Sequence, residues 1–245
     1  MIKINGICKK FGENEILKNI DFHIKEGEFV AVMGQSGCGK STLLYSISGM
    51  DKPTGGQVLF EGKKLYEFSE KEMEKLRLNR MGFIFQKANF LKNLSIEDNI
   101  VFPAFQAGKK SRGEVVKEAE KLMEQMGILH IAKHDIRKVS GGQLQRAAIC
   151  RAMINHPAIL YGDEPTGALN SSATREVMDI INRINKQGTT VLLVTHDAKV
   201  AARADRVIYL EDGRLKEALE LGKFVETAAA DREEKLKEWL EKMGF

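Results

Sequence analysis

The sequence predicts an α/β fold in which buried strands alternate with helices. Four largely apolar runs of strand length support this class, at residues 29–33, 81–85, 158–162 and 189–194, and each ends at a glycine or a polar segment. Stretches with the apolar spacing of helices separate these runs. The first run continues into a glycine-rich loop and then into a helical pattern. We therefore expect a buried sheet with helices packed on it.

Composition limits the classes of protein that fit. With 245 residues, 43% of them hydrophobic, the chain can bury a core in one large domain or two small ones. Lys and Arg exceed Asp and Glu by only four and are interspersed with them, so we expect no nucleic-acid partner. Three cysteines and an amino terminus without a secretory pattern predict reduced thiols in the cytoplasm. No apolar run reaches the roughly 20 residues that cross a bilayer, so a membrane role needs a partner.

Residues 1–62 contain strand patterns that predict a second, antiparallel sheet. Runs at 2–8 and 16–24 flank a turn signal at 12–14, and a shorter run at 57–60 precedes another turn. Phe11 lies just before the first turn. An exposed aromatic ring there can stack on a purine base, and a buried core position is the alternative.

The glycine-rich loop is the most specific of the local patterns. Residues 34–42 read Gly-Gln-Ser-Gly-Cys-Gly-Lys-Ser-Thr, and the spacing from Gly34 to Gly39 and Lys40 matches a phosphate-binding P-loop. Such glycines let successive N–H groups point inward in front of a helix N-terminus, which favours phosphate oxygens. Lys40 would reach the β- and γ-phosphates, and the Ser41 hydroxyl would bind Mg²⁺. The α/β core is thus predicted to be a P-loop NTPase.

Cys38 lies at the centre of this loop. A thiol at a helix N-terminus has a lowered pKa. We therefore expect thiol reagents to modify Cys38 and to block nucleotide binding.

Residues able to do chemistry follow the other three buried runs. Gln86 follows the second run, Asp163 and Glu164 follow the third, and His196 follows the fourth. Ligands in open α/β sheets bind beyond the carboxyl ends of the strands. Asp163 can support Mg²⁺, and Glu164 can orient or deprotonate an attacking water. A lone His at a strand end is usually structural, but the common position of these residues favours one shared site.

A helical insertion interrupts the strands between residues 87 and 156. Ser95 and Ser111 each begin a helix pattern, and apolar residues after Ser111 repeat at helical spacing. We expect an α-helical subdomain here, inserted into a core formed by residues 1–86 and 157–222.

The remaining residues, 223–245, predict a C-terminal amphipathic helix extension. Asp231 is expected to start this helix after an irregular stretch at residues 226–230. Elsewhere in the chain, Ser171 is expected to cap a helix that runs to about residue 186. Leu236, Trp239 and Leu240 form an apolar stripe. The stripe is expected to pack on the same chain, with a partner contact as the alternative.

The segment Ser140-Gly141-Gly142-Gln143 repeats the logic of the P-loop at the start of another helix. A hydroxyl and two glycine N–H groups at a helix N-terminus can bind anionic oxygens. One interpretation is that it contacts a nucleotide on another subunit, and the alternative is an ordinary glycine-started helix.

In this order after a P-loop, these motifs resemble the ATP-binding subunits of ABC transporters, over residues 1–219. The Ser-Gly-Gly-Gln signature is the most specific part, because P-loop kinases and GTPases lack it. Segments at 82–86, 99–103 and 162–169 resemble the exporter group that handles macrolides, lipoproteins and antimicrobial peptides.

The resemblance implies a set of site residues. It implies that the catalytic residues are Glu164, which acts on water, His196, which contacts the γ-phosphate, and Gln86. It also implies that Ser41, Gln86 and Asp163 bind Mg²⁺. The ATP contacts are Phe11, Gly34, Ser36, Gly37, Cys38, Gly39, Lys40, Ser41, Thr42, Ser140, Gly141, Gly142 and Gln143.

The resemblance also implies partners and a location. Two copies of the chain would sandwich two ATP molecules, each held by one P-loop and the other copy's signature, and a membrane permease would contact residues 87–105 from the inner face of the cell membrane. Phe11, Val139 and Asn170 stand where the family commonly has Tyr, Leu and Asp. Asn170 removes a charge from the contact that couples the two sites.

The alternative function is a non-transport ABC ATPase that regulates a membrane protein in cell division or signalling.

Overall fold

The structure is a computed structural model that describes residues 1–245. It has ten strands and eight α-helices. The strands are β1 (Ile2–Phe11), β2 (Asn14–Ile24), β3 (Phe29–Met33), β4 (Gly55–Phe60), β5 (Lys63–Lys64), β6 (Met81–Phe85), β7 (Ile159–Asp163), β8 (Thr190–Val194), β9 (Arg206–Glu211) and β10 (Arg214–Glu220). The helices are α1 (Lys40–Ile47), α2 (Glu70–Arg80), α3 (Ile96–Ala107), α4 (Arg112–Gln125), α5 (Gly141–Met153), α6 (Ser171–Lys186), α7 (Ala198–Ala201) and α8 (Ala229–Lys242).

The chain forms two compact units. The first contains Met1–Met73 and Asn182–Phe245, and the second contains Glu74–Ile181. No helix of the chain has the length and apolar character needed to span a bilayer.

An antiparallel sheet in the first unit has the strand order β2-β1-β4-β5. Its β1–β2 hairpin is longer than predicted, because Phe11 pairs with Asn14 directly across the turn. Gly12 allows this tight turn with a φ of 59°. The predicted strand at residues 2–8 therefore continues to Phe11, and the ring of Phe11 lies on the hairpin itself.

The first unit also contains the strand that leads into the P-loop. β3 is parallel to β8 on one side and to β9 on the other, and β10 pairs antiparallel with β9. Every residue of β3 and β8 is buried, as expected for parallel strands with both faces covered. Val32 lies opposite Val194 in the register. The segments after β3 and β8 therefore leave the sheet at the same edge.

The second unit combines the parallel pair β6–β7 with helices α3, α4 and α5. Ser95 and Ser111 cap α3 and α4 with complete capping boxes, and both helices begin where the sequence predicts. A Cβ at Gly82 of β6 would lie 2.7 Å from the carbonyl oxygen of Ala152. Only glycine permits this close packing of α5 on β6.

The C-terminal helix α8 packs on its own unit. Leu236, Trp239 and Leu240 are buried, as the apolar stripe predicts. Two expectations about its start are wrong: α8 begins at Ala229, and a short 3₁₀ helix at Glu226–Ala228 replaces the irregular stretch. Asp231 lies in the first turn of α8. Its carboxylate interacts favourably with the helix dipole there, but it does not cap the helix.

Candidate functional site

Two glycines fix the shape of the P-loop in the first unit. Gly39 is the N-cap of α1 with a φ of 105°, a conformation that disfavours any side chain. A Cβ at Gly34 would lie 2.1 Å from the carbonyl oxygen of Leu210. The loop is therefore pressed against the end of β9, and neither position tolerates another residue without rearrangement.

Lys40 is directed into this loop. Its side chain is only 8% exposed, and Nζ donates hydrogen bonds to the carbonyl oxygens of Gly34 at 2.8 Å and of Gln35 at 2.9 Å. An ammonium group has three donors, so one remains for an incoming ligand. The positive charge and the N-terminus of α1 together make the loop a site for anionic oxygens.

A cavity of about 370 Å³ lies beside the loop. The loop contributes Gln35, Ser36, Gly37 and Cys38, and the strand β2 contributes Glu15, Ile16 and Lys18. The end of β9 contributes Glu211, and the turn after it contributes Asp212 and Gly213. Its volume is within the range of small-molecule sites. The three predicted contacts Ser36, Gly37 and Cys38 therefore line one space, which is polar and large enough for part of a nucleotide.

The expectation that Cys38 has a lowered pKa is wrong. Burial in the loop raises the pKa of the thiol, and the nearby Lys40 ammonium and backbone N–H groups only partly oppose this effect. The N-terminus of a helix favours a thiolate, but here the cost of desolvating the charge exceeds that benefit. Cys38 is therefore a protonated, weakly nucleophilic thiol at neutral pH.

Phe11 is 52% exposed, which excludes the alternative of a core position. It lies in the same unit as the P-loop, at the end of β1. Nζ of Lys9 lies 4.8 Å from the centre of its ring. An exposed, supported aromatic face suits stacking on a base.

His196 follows β8 in the first unit and is exposed. The preceding Thr195 is buried, and its N–H donates to the carbonyl oxygen of Val32 at 3.1 Å. Asp197 caps α7 by accepting a hydrogen bond from the N–H of Lys199. His196 is thus held between a buried residue and a helix cap, at the sheet edge from which the P-loop also leaves.

Gln86, Asp163 and Glu164 meet in the second unit. Phe85 lies opposite Asp163 in the parallel register of β6 and β7, so the residues that follow each strand leave the sheet side by side. A Cβ at Gly167 would lie 2.8 Å from Nε2 of Gln86. The Gln86 side chain therefore lies against the segment that carries Glu164, and two of the predicted residues share one edge with Asp163.

Glu164 has an unusual backbone. Its φ is 50°, in the left-handed region that glycine and asparagine tolerate better than glutamate. Pro165 follows it and restricts the preceding residue further. The N–H of Gly167 donates to the carbonyl oxygen of Glu164 at 3.0 Å, and this turn holds the strained conformation. Strain of this kind is concentrated at functional sites.

The signature segment starts α5 in the same unit. Ser140 Oγ accepts from the N–H of Gln143 at 3.3 Å, and Gln143 Oε1 accepts from the N–H of Ser140 at 2.9 Å. The first N–H groups of a helix have no acceptor within it, which leaves those of Gly141 and Gly142 available. A Cβ at Gly142 would lie 3.1 Å from the Cβ of Ala173. Ser140 and Gly141 are exposed, so an anion can approach this N-terminus from outside.

The cap of α6 corrects one expectation. Asn170 Oδ1 accepts from the N–H of Ala173 at 2.9 Å, so Asn170 is the cap and Ser171 is the first helical residue. Both residue types cap helices well, and the sequence alone could not separate adjacent candidates.

Sequence reasoning missed one residue that supports this edge. Gln145 is buried, and its Nε2 donates to the carbonyl oxygen of Phe85 at 3.1 Å. It fixes the end of β6 just before Gln86. The sequence could have indicated this role, because Gln145 is a polar residue at helical spacing from Ala148 and Ile149, which are buried.

The P-loop after a buried parallel strand, with polar residues at the ends of neighbouring strands, defines the chain as a nucleotide-binding P-loop protein. A family model described as "ABC transporter" matches residues 17–167. The chain belongs to the ABC transporter family, as an ATP-binding cassette. The predicted resemblance is confirmed.

Two curated relatives illustrate the exporter group. The lipoprotein-releasing system ATP-binding protein LolD of Leptospira interrogans is 41% identical over 231 residues, which cover 93% of this chain and 97% of LolD. The macrolide export ATP-binding/permease protein MacB of Campylobacter jejuni is 43% identical over 215 residues, 88% of this chain but 33% of MacB. The chain thus spans about a third of the length of MacB.

A solved structure supports the fold. The dimeric, post-hydrolysis structure of the ATP-binding cassette MJ0796, bound to ADP and Pi, matches with a TM-score of 0.84 and 38% identity, over 91% of this chain and 100% of that chain. The predicted α/β fold class with a P-loop NTPase core is confirmed.

Proposed function

We propose that the chain is the ATP-hydrolysing subunit of a transporter that exports or extracts a macrolide, lipoprotein or antimicrobial peptide through a separate membrane permease. The observation that carries this proposal is the exposed helix N-terminus at Ser140 and Gly141. The chain already has a P-loop for its own nucleotide, so a second group of N–H donors is explained if it binds the nucleotide held by another copy.

Each end of the nucleotide has a proposed binding group. Phe11 stacks on adenine, and residues 34–42 hold the phosphates through backbone N–H groups, with Lys40 and Thr42 as side-chain contacts. The inward direction of the Lys40 ammonium supports its role. His196 contacts the γ-phosphate, and Glu164 acts on the attacking water.

Mg²⁺ is proposed to bind through Ser41, Gln86 and Asp163, together with phosphate oxygens. All three side chains offer oxygen ligands, and one carboxylate with substrate phosphates is the usual protein share of a Mg²⁺ site. One carboxylate and two neutral oxygen donors leave coordination positions for phosphate oxygens, so this donor set fits an ion that arrives with the nucleotide. The ion would neutralise charge that develops on the transferred phosphate.

Two copies are proposed to form a symmetric dimer around two ATP molecules, each held by one P-loop and by Ser140, Gly141, Gly142 and Gln143 of the other copy. The capping box between Ser140 and Gln143 supports this arrangement, because it holds the signature in place before the second copy arrives. The dimeric structure of MJ0796 supports it as well.

The permease is proposed to contact residues 87–105 at the cytoplasmic face of the membrane. Leu91, Phe102 and Phe105 are 50%, 43% and 40% exposed, and large exposed apolar side chains mark interaction sites. For the organisation of the chain we propose a catalytic core of residues 1–86 and 157–222, a helical subdomain of 87–156 and an extension of 223–245. The absence of strands between β6 and β7 supports a helical subdomain within residues 87–156.

Replacement of Glu164 by glutamine tests the proposal. Glutamine has the size of glutamate but cannot take a proton, so hydrolysis should fall at least about a hundredfold, while ATP binding is retained. Gel filtration with ATP should then show an accumulated dimer. The matched control is Glu234→Gln, on the exposed face of α8, which should behave as wild type. Wild-type hydrolysis by the Glu164→Gln chain would remove Glu164 from catalysis, and a chain that stays monomeric with bound ATP would contradict the shared site.

A further inference from the structure

The side chain of Lys9 has an unusual environment for a lysine on a strand of the antiparallel sheet. It is only 6% exposed, although lysines are among the side chains least often buried. Its Nζ donates to Oδ1 of Asp51 at 2.5 Å and to the carbonyl oxygen of Lys52 at 2.7 Å. Burial of an ammonium group is costly unless it is paired and hydrogen-bonded, and here both conditions are met.

The same ammonium group lies over Phe11, 4.8 Å from the centre of the ring. A cation within about 6 Å of the centroid is attracted by the negative face of an aromatic ring. Lys9 therefore covers one face of the Phe11 ring, and the residue as a whole is still 52% exposed. A flat ligand has to stack on the other face.

We propose that Lys9 is a positioning residue for the base of the nucleotide, acting through Phe11. The proposal rests on the proposed function, in which Phe11 stacks on adenine. Lys9 restrains a ring that would otherwise move freely at the end of a hairpin. Its charge also draws on the electron density of the ring, which makes the free face less repulsive to the π face of a base.

The anchor of Lys9 connects the base platform to the phosphate site. Asp51 lies in the turn after α1, where its N–H donates to the carbonyl oxygen of Tyr45 at 3.1 Å. The N-terminus of α1 carries Lys40 and Ser41. Lys9 thus joins the strand that holds Phe11 to the carboxyl end of the phosphate-binding helix, and it fixes the separation between the two ends of the nucleotide site.

Binding of ATP and of inorganic tripolyphosphate separates this role from a structural one. Tripolyphosphate offers the phosphates without a base, so a positioning effect through Phe11 should appear with ATP alone. In the full chain with Mg²⁺, Lys9→Met should weaken ATP binding about threefold to tenfold and leave tripolyphosphate binding unchanged. Lys9→Arg, which keeps the charge, should retain most of the ATP affinity. Lys3→Met, an exposed lysine on the same strand, is the matched control.

A second pair of variants completes the test. Phe11→Ala should weaken ATP binding, and Lys9→Met should add nothing in the Phe11→Ala background, because the ring through which Lys9 acts is absent. Equal losses for ATP and tripolyphosphate in Lys9→Met would overturn the inference, since they would reflect a disturbed P-loop. An effect of Phe11→Ala without one of Lys9→Met would overturn the inference alone. ATP affinity that survives Phe11→Ala would overturn both the base site and the role of Lys9.

Discussion

Gln86 lies directly against Gly167, where a Cβ would come within 2.8 Å of Nε2 and 3.4 Å of Cδ. The segment after Glu164 therefore depends on a glycine to accommodate the glutamine that follows β6. The contact couples the position of Gln86 to the turn that holds Glu164. Gln86 is proposed to bind Mg²⁺, and a small displacement of such a side chain slows the reaction, so added volume at this contact tests that role.

Gly167→Ala should slow ATP hydrolysis about tenfold or more, because the methyl group displaces the Gln86 amide. Stability should change little, since Gly167 is exposed and has no left-handed backbone. The measurement is steady-state hydrolysis at saturating ATP together with urea unfolding. Gly113→Ala, where a Cβ meets nothing within 4 Å, is the control and should leave hydrolysis unchanged. A Gly167→Ala enzyme with full activity would show that Gln86 moves aside without cost.

Asn170→Asp should raise the cooperativity of ATP hydrolysis and leave the stability of the chain unchanged. Asn170 caps α6 through Oδ1, and aspartate caps a helix equally well, so the substitution adds a charge without removing a contact within the chain. The Hill coefficient for ATP measures the coupling. Asn170→Ala, which loses the cap, should cost about 1 kcal/mol of stability. An unchanged Hill coefficient in Asn170→Asp would show that the charge plays no part in coupling.

Alkylation of Cys38 should be slow at neutral pH and should still accelerate above pH 9. Only the thiolate reacts, and burial raises the pKa of Cys38 above the ordinary value of 9.0. The rate should therefore still rise with pH where the rate of an ordinary thiol has begun to level off. Mass spectrometry of the iodoacetamide-treated chain measures the rate, and Cys38→Ser identifies the site.

Bound ATP should protect Cys38 from the reagent, because the thiol lines the cavity beside the P-loop. Cys150 should stay unmodified in the folded chain, since burial raises its pKa to about 12. Rapid modification of Cys38 at pH 7 would restore the original expectation of a thiolate at the helix N-terminus.

Local chemistry made much of the fold predictable. The P-loop strand, α1, β6 and the caps at Ser95 and Ser111 lie where the sequence predicts, because each depends on neighbours in the chain. The hairpin length, the cap of α6 and the start of α8 were missed. The hairpin extends because Phe11 pairs with Asn14 directly across a tight turn. The cap of α6 is a choice between adjacent residues that both cap helices well. The start of α8 shifts because a 3₁₀ turn leads into the helix.

The site shows the same division. Sequence motifs identified Lys40, Gln86 and Glu164 as candidate site residues. They did not identify the residues that hold the site in position. Gln145 and Lys9 donate hydrogen bonds to residues 60 and 42 positions away in the chain, and no local pattern encodes such contacts. The prediction of a lowered pKa for Cys38 was wrong for a related reason, because desolvation depends on burial that only the folded chain defines.

The left-handed backbone of Glu164 bears on how this chain can change over generations. Selection for thermal endurance alone would favour glycine or asparagine at a φ of 50°. A glutamate there costs stability, and its proposed action on the attacking water would be the compensating gain in turnover. Random mutagenesis screened only for heat resistance should repeatedly recover Glu164→Gly, and each such variant should be inert.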